Sequence, residues 1–154
     1  MALVETIWDG CSHLPKPNES CTIVYMDIVA DTNIFLVVAL DEPEKNNIIQ
    51  LTSGCEIISP EILPYEIGNA LSAMVKRKKI TQKEALSTLS KANSIPVRLI
   101  NIDIHKALKL AMKFNIYAYD AYFLQGAKTL SRPLITLDKR MKQVANELNI
   151  ELLE

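Results

Sequence analysis

A chain of 154 residues, 49% hydrophobic and 23% charged, has the size and composition of one globular domain with a real core. Its 4 glycines include no G-x-x-x-x-G-K-S/T and no G-x-G-x-x-G pattern, which excludes the Gly-rich phosphate loops. A net charge of −1 offers no overall field for nucleic acid, so any basic footprint has to be local.

Residues 1–25 differ from the remainder. Ser12 to Ser20 is mostly polar with two prolines and reads as an irregular connector. Cys11, His13 and Cys21 lack a fourth partner at zinc spacing and make a weak metal site. Cys11, Cys21 and Cys55 are an odd, widely spaced set without C-x-x-C, so reduced thiols and a cytoplasmic protein are expected. The start has neither the basic region nor the long apolar stretch of a signal peptide. No apolar run approaches the ~20 residues of a membrane span. The organised part opens at Met26, and 26–154 is expected to fold without the leader.

A first strand is predicted from Ile23 or Asp27 to Ala30, near-continuously apolar as a strand covered on both faces is. Asp31-Thr32-Asn33 follows. These types turn a chain and cap a helix, but the carboxyl end of a parallel strand is also where ligands bind. Ile34 to Leu40 is predicted as a short helix. A second opens around Asp41 to Lys45, with Ile48, Ile49 and Leu51 inward, and stops at Gly54. Cys55 to Ser59 reads as a second strand.

Ser59-Pro60-Glu61 has the form of a helix start, a capping hydroxyl followed by proline. The helix would turn Ile62, Tyr65, Ala70, Ala73 and Met74 inward, kink near Pro64, and end on the basic run Lys76-Arg-Lys-Lys79. Thr81 to Glu84 is a capping box for the next helix, reaching about Lys91. Ile95 to Ile100 reads as a third strand whose pairing begins late because of its proline. Asp103 caps a helix with Ala107, Leu108, Ala111, Met112 and Phe114 inside. After a turn at Asn115 to Tyr119, Asp120 opens a helix to Leu130. Pro133 to Thr136 is a fourth strand, Asp138 lies just beyond it, and a helix runs from Lys139 to Leu148. Ile150 to Leu153 is a candidate edge strand. Strands alternating with helices in this way define an α/β fold with a mostly parallel sheet.

Asp31 and Asp138 both follow strands, so they share one rim of that sheet, where such folds place ligands. Asp120 begins a helix, and Glu66 lies on a helix otherwise apolar on that flank. Singly, each acid serves as a turn, helix-start or solvated residue. Jointly they point to a site.

The order Val29-Ala-Asp-Thr-Asn-Ile34, Pro64-Tyr-Glu-Ile-Gly-Asn-Ala-Leu71, Tyr119-Asp-Ala-Tyr122, Ile135-Thr-Leu-Asp-Lys-Arg140 resembles the PIN domain. Within that family it is most similar to the VapC-type toxins of prokaryotic toxin–antitoxin pairs. The resemblance covers about 26 to 154. It implies a three-layer α/β/α sandwich and a Mg2+- or Mn2+-dependent ribonuclease, a homodimer whose cleft is covered by a segment of the antitoxin. The family's acidic cluster falls on Asp31, Glu66, Asp120 and Asp138, and its supporting polar positions on Asn33 and Thr136. Such toxins commonly begin near the position of Met26. Residues 1–25 are thus either an N-terminal extension or the product of a start site placed too far upstream.

The chemistry of the residues agrees with this likeness. Carboxylates crowded into one cleft repel and take up protons unless a cation compensates them. Oxygen ligands without His or Cys suit a hard ion, Mg2+ or Mn2+, rather than zinc. Asp31, Asp120 and Asp138 are expected as direct or water-mediated ligands, with Glu66 holding one of the ion's waters. Asn33 and Thr136 would orient the carboxylates. Lys139 and Arg140, adjoining Asp138, are the candidates for RNA phosphate contact. The run 76–79 is equally well read as a solvated face. Tyr117, Tyr119 and Tyr122 are expected in the core or its wall. Two other readings compete: a non-catalytic PIN-like binding module in a regulatory complex, and an aspartyl-nucleophile phosphatase. The phosphatase needs a second Asp two residues after Asp31, where this chain has Asn33.

Overall fold

The computed structural model describes residues 26–154, so the expectations for the connector, the leader and the Cys11, His13, Cys21 set lie outside the described residues. The chain runs β1 (Met26–Ala30), α1 (Thr32–Ala39), α2 (Lys45–Leu51), β2 (Cys55–Pro60), α3 (Leu63–Lys76) and α4 (Gln82–Asn93). It continues through β3 (Arg98–Ile100), α5 (Ile104–Phe114), α6 (Ala118–Leu130), β4 (Leu134–Ile135) and α7 (Lys139–Glu147).

The four strands form one parallel sheet in the order β3-β2-β1-β4. β1 pairs on one side with β2, Ile28 opposite Ile57, and on the other with β4, Ala30 opposite Ile135. The chain therefore winds outward from β1 in one direction and then resumes on β1's opposite edge. That reversal leaves a crevice beyond the carboxyl ends of β1 and β4.

Strand alternation divides the core into two. Ile28, Ala30 and Ile135 point toward α1–α4 and meet Ile34, Phe35, Leu63, Ile67 and Leu71. Val29, Ile58 and Leu134 point the other way, against Ala107, Phe114, Phe123, Leu124 and Val144 of α5–α7. The expected three-layer α/β/α sandwich is thus observed. Among the described residues no helix is long and apolar enough to cross a membrane.

Local signals acted largely as the sequence suggests. The capping box at α4 is complete: Glu84 N–H donates to the Thr81 hydroxyl at 3.2 Å, and Thr81 N–H to the Glu84 carboxylate at 2.7 Å. Asp103 caps α5 by accepting from Lys106 N–H at 3.1 Å. Gly54 ends the α2 turn at φ +74°, where a Cβ would be strained.

Five expectations are corrected. Ser59 and Pro60 do not start a helix but finish β2, paired with Leu99 and Ile100. The buried Ser59 hydroxyl donates to the Ala30 carbonyl at 3.0 Å. Strand pairing outcompetes the cap, and α3 begins three residues later with Pro64 in its first turn, where a missing N–H is harmless. On α3 the inward residues are Leu63, Ile67 and Leu71, while Tyr65 is 75% exposed. In α2, one turn cannot bury two adjacent isoleucines, so Ile48 is inside and Ile49 outside. In α5, Leu110 joins Ala107, Ala111 and Phe114 in the core, leaving Leu108 and Met112 exposed beside Ile104. The C-terminal segment 150–153 forms a single parallel bridge, Leu134 to Leu152, rather than a full strand.

Candidate metal centre

Each of the four acids stands at a helix start on the same rim. Asp31 is the N-cap of α1 and Asp138 that of α7; Glu66 and Asp120 lie in the first turns of α3 and α6. The positive end of a helix dipole favours an anion at each place. The fold thus brings together four residues spread over 108 positions of sequence (138 − 31 + 1) by converging four helix N-termini on the crevice.

Asp31 is the buried centre, 7% exposed. Its Oδ1 accepts from Thr32 N–H at 2.6 Å, and its Oδ2 from the Asn33 amide at 2.6 Å and the Thr136 hydroxyl at 2.8 Å. Thr136, at the end of β4, also accepts from Asp138 N–H at 3.1 Å. Asn33 Oδ1 in turn accepts from Leu137 N–H at 3.3 Å, tying α1 to the loop before α7. Both supporting polar residues singled out in the sequence therefore touch Asp31. Asp138 Oδ1 accepts from Met141 N–H at 2.7 Å. The Thr32 hydroxyl donates to Glu66 Oε2 at 2.5 Å, a contact that sequence reasoning missed.

The carboxylates act on one another. Burial pushes the Asp31 carboxyl from 3.8 up to about 7, the Thr136 and Thr32 hydrogen bonds pull it partly back, and Glu66 and Asp120 push it further. Glu66 is raised by burial, opposed by the Thr32 hydroxyl and reinforced by Asp120. Asp120 is raised by burial and by Asp138. Asp31, Glu66 and Asp120 thus share one repelling field, to which the Asp138 charge adds at Asp120.

Among the described residues no three carboxylate, thiol or imidazole groups close into a complete ligand set. The donor set is entirely oxygen, which fits a hard ion retaining several waters and does not fit zinc.

The basic residues divide. Lys139 is exposed next to Asp138. Arg140 is committed to structure: its guanidinium donates to the Phe114 carbonyl at 2.5 Å and to Gln143 at 3.3 Å, capping the end of α5. Lys76 to Lys79 are exposed at the far end of α3, ~15 Å along the helix from Glu66. Of the tyrosines, Tyr122 packs on the core as expected, whereas Tyr117 and Tyr119 are 84% and 51% exposed.

The PIN domain family profile matches residues 28–147, most of the described chain. The chain belongs to the PIN domain family. PIN domains are typically nucleases, and those nucleases generally use divalent metal ions. No curated protein sequence matches the chain. Among solved structures, PAE2754 from Pyrobaculum aerophilum is similar over 77% of this chain and 84% of its own, with TM-score 0.62 and 18% identity. VapBC2 from Rickettsia felis, bound to a DNA fragment from their promoter, is similar over 82% of this chain and 97% of the matched chain, with TM-score 0.60 and 19% identity. At these identities the likeness is one of fold.

Proposed function

We propose that this PIN domain is a Mg2+- or Mn2+-dependent endoribonuclease, the VapC-like toxin of a toxin–antitoxin pair acting in the cytoplasm. The observation that carries the reading is the convergence of Asp31, Glu66, Asp120 and Asp138 on one rim at four helix starts, where burial, with the charges of Glu66 and Asp120, raises the Asp31 carboxyl to about 7. Asp31, Asp120 and Asp138 would hold the ion, and Glu66 would act on it through water. When bound, the ion supplies compensation for the charge that builds on a phosphodiester and activation of the attacking water. The chain's own part is orientation. Asn33 and Thr136 hold Asp31 from two sides, and the helix dipoles of α1, α3, α6 and α7 stabilise the ionised carboxylates. Lys139 stands where an RNA phosphate beside Asp138 would meet it; Arg140 contributes less, its donors being engaged.

The experiment is cleavage of a single-stranded RNA by the purified protein with Mn2+, with EDTA, and with Mn2+ restored. Cleavage that stops and resumes supports the reading. Parent protein that binds RNA or a partner but cleaves nothing under all three conditions would return the chain to the non-catalytic class.

The antitoxin partnership is supported by the VapBC2 neighbour, whose fold this chain shares. A homodimer is supported by the surface of α5. Ile104, Leu108 and Met112 repeat at every fourth residue and are 63%, 47% and 68% exposed, a stripe that a second copy can cover by two-fold symmetry. Light scattering after gel filtration is expected to give a dimer for the parent and a monomer for Leu108→Glu with Met112→Glu. A monomeric parent contradicts this.

A further inference from the structure

The three residues that follow β1, the N-cap and the first two residues of α1, send their side chains to three different elements. Asp31 turns to Thr136 at the end of β4, Asn33 reaches the loop before α7, and Thr32 reaches α3. The first two were expected to serve the site from their positions in the sequence. Thr32 was not, yet it is 9% exposed and its hydroxyl donates to Glu66 Oε2 at 2.5 Å.

We propose that Thr32 is a positioning residue for the acidic centre, its hydroxyl holding the Glu66 carboxylate at a set place relative to Asp31. This rests on the nuclease reading above and extends it by one residue. The geometry argues for more than local structure. Asp31 already caps α1, so the helix does not need the Thr32 side chain for its start. A hydroxyl buried there without an acceptor would be unfavourable, and Glu66 is the acceptor the fold provides.

Glu66 sits on a separate helix and has three side-chain torsions to restrain, each adding to the entropy lost on ordering. Threonine is a stiff post for that purpose, because two substituents on Cβ restrict its rotamers within a helix. The same residue's backbone N–H donates to Asp31 Oδ1 at 2.6 Å. One residue thus registers two carboxylates that lie 35 positions apart (66 − 31). A second observation makes the link specific: among the described residues the Thr32 hydroxyl donates to Glu66 and to no other carboxylate, while Asn33 and Thr136 serve Asp31.

The test is a double-mutant cycle of Thr32→Val and Glu66→Ala, with Thr32→Ser as the conservative variant. Each protein is measured for Mn2+ affinity by calorimetry and for kcat and KM on one RNA. Valine keeps the shape and removes the donor; Thr32→Ala replaces it in the cycle if valine melts early. Thr32→Val is expected to lower kcat and Mn2+ affinity by ~10 to 100-fold with the RNA KM little changed. Thr32→Ser is expected to restore most of both. In the Glu66→Ala background, Thr32→Val should have no further effect, because its action runs through Glu66. Additive effects in the cycle, or a serine variant as impaired as valine, would overturn the proposal. So would a valine variant equal to the parent. A parent without RNA cleavage would count against the nuclease reading instead, while the Mn2+ affinities in the cycle would still decide whether Thr32 acts through Glu66.

Discussion

An Asp31→Asn protein is expected to fold, to melt higher than the parent at neutral pH in metal-free buffer, and to lose most Mn2+-dependent cleavage. The reason is the buried carboxyl, held at about 7 instead of 3.8. Between those values the native state keeps a proton that the unfolded chain has released. The stabilisation tied to that proton is fully present below about 3.8 and is lost as pH rises through about 7. Each pH unit in that window is worth about 1.4 kcal/mol for such a group, so the loss reaches several kcal/mol. Asparagine carries no charge to bury, so the slope should flatten. It should not vanish, since Glu66 and Asp120 are also raised and act in the same direction.

Against this gain stands a hydrogen-bond loss. The Asn33 amide would face another amide NH2 where it now meets a carboxylate oxygen, at about 1 kcal/mol. At acid pH, where the parent's carboxyl is neutral, that loss should leave the variant no more stable than the parent. Thermal melts across pH check both halves. Mn2+ at a hundredfold above Kd should stabilise the parent by about 2.7 kcal/mol and the variant by clearly less. Equal gains in the two proteins contradict the repulsion argument.

Asp120→Asn is expected to have the largest effect on activity with the smallest on the fold. Its carboxylate is half-buried in the first turn of α6, and none of the hydrogen bonds found among the described residues involves it. If it served only as a helix-start anion, asparagine would change stability by a few tenths of a kcal/mol and cleavage not at all. Asp120 nevertheless couples to every other acid of the centre: it raises Asp31 and Glu66 and is raised by Asp138. On the proposed reading, removing its charge takes away one of the acids that would hold the ion. Loss of at least ~10 to 100-fold in cleavage is expected, the range seen even for groups one step removed from a metal. Metal-free stability should hold or rise. Near-parent cleavage would remove Asp120 from the site.

The elements and the acids were legible in the sequence for different reasons. Continuous apolar runs bounded by turn residues marked β1 and β2, and two strand-end acids in a parallel sheet had to share a rim. The start of α3 was not legible, because Ser59-Pro60 satisfies a cap pattern and a strand end equally well and only pairing with β3 decides. The buried face of α5 was not legible either. Both the Ala107, Leu110, Ala111, Phe114 arc and the Ile104, Leu108, Met112 arc are apolar, and the sequence does not say which one α6 covers. Thr32 was missed because α1 was expected to begin at Ile34. With the helix starting at Thr32, adjacent side chains diverge by about 100° and reach different elements. Arg140 looked free beside Asp138, and only the fold shows that the end of α5 engages it.

The most direct measurement is a calorimetric titration of the parent, Asp31→Asn and Asp120→Asn with Mn2+, repeated in buffers of different ionisation heat near neutral pH. The parent is expected to bind saturably and to release protons, because a carboxyl held near 7 must ionise to face the ion. Asp120→Asn should bind at least ~10-fold more weakly. Asp31→Asn should bind weakly and release fewer protons. Identical isotherms for the three proteins, with no buffer dependence, would contradict a divalent-ion centre built on these acids.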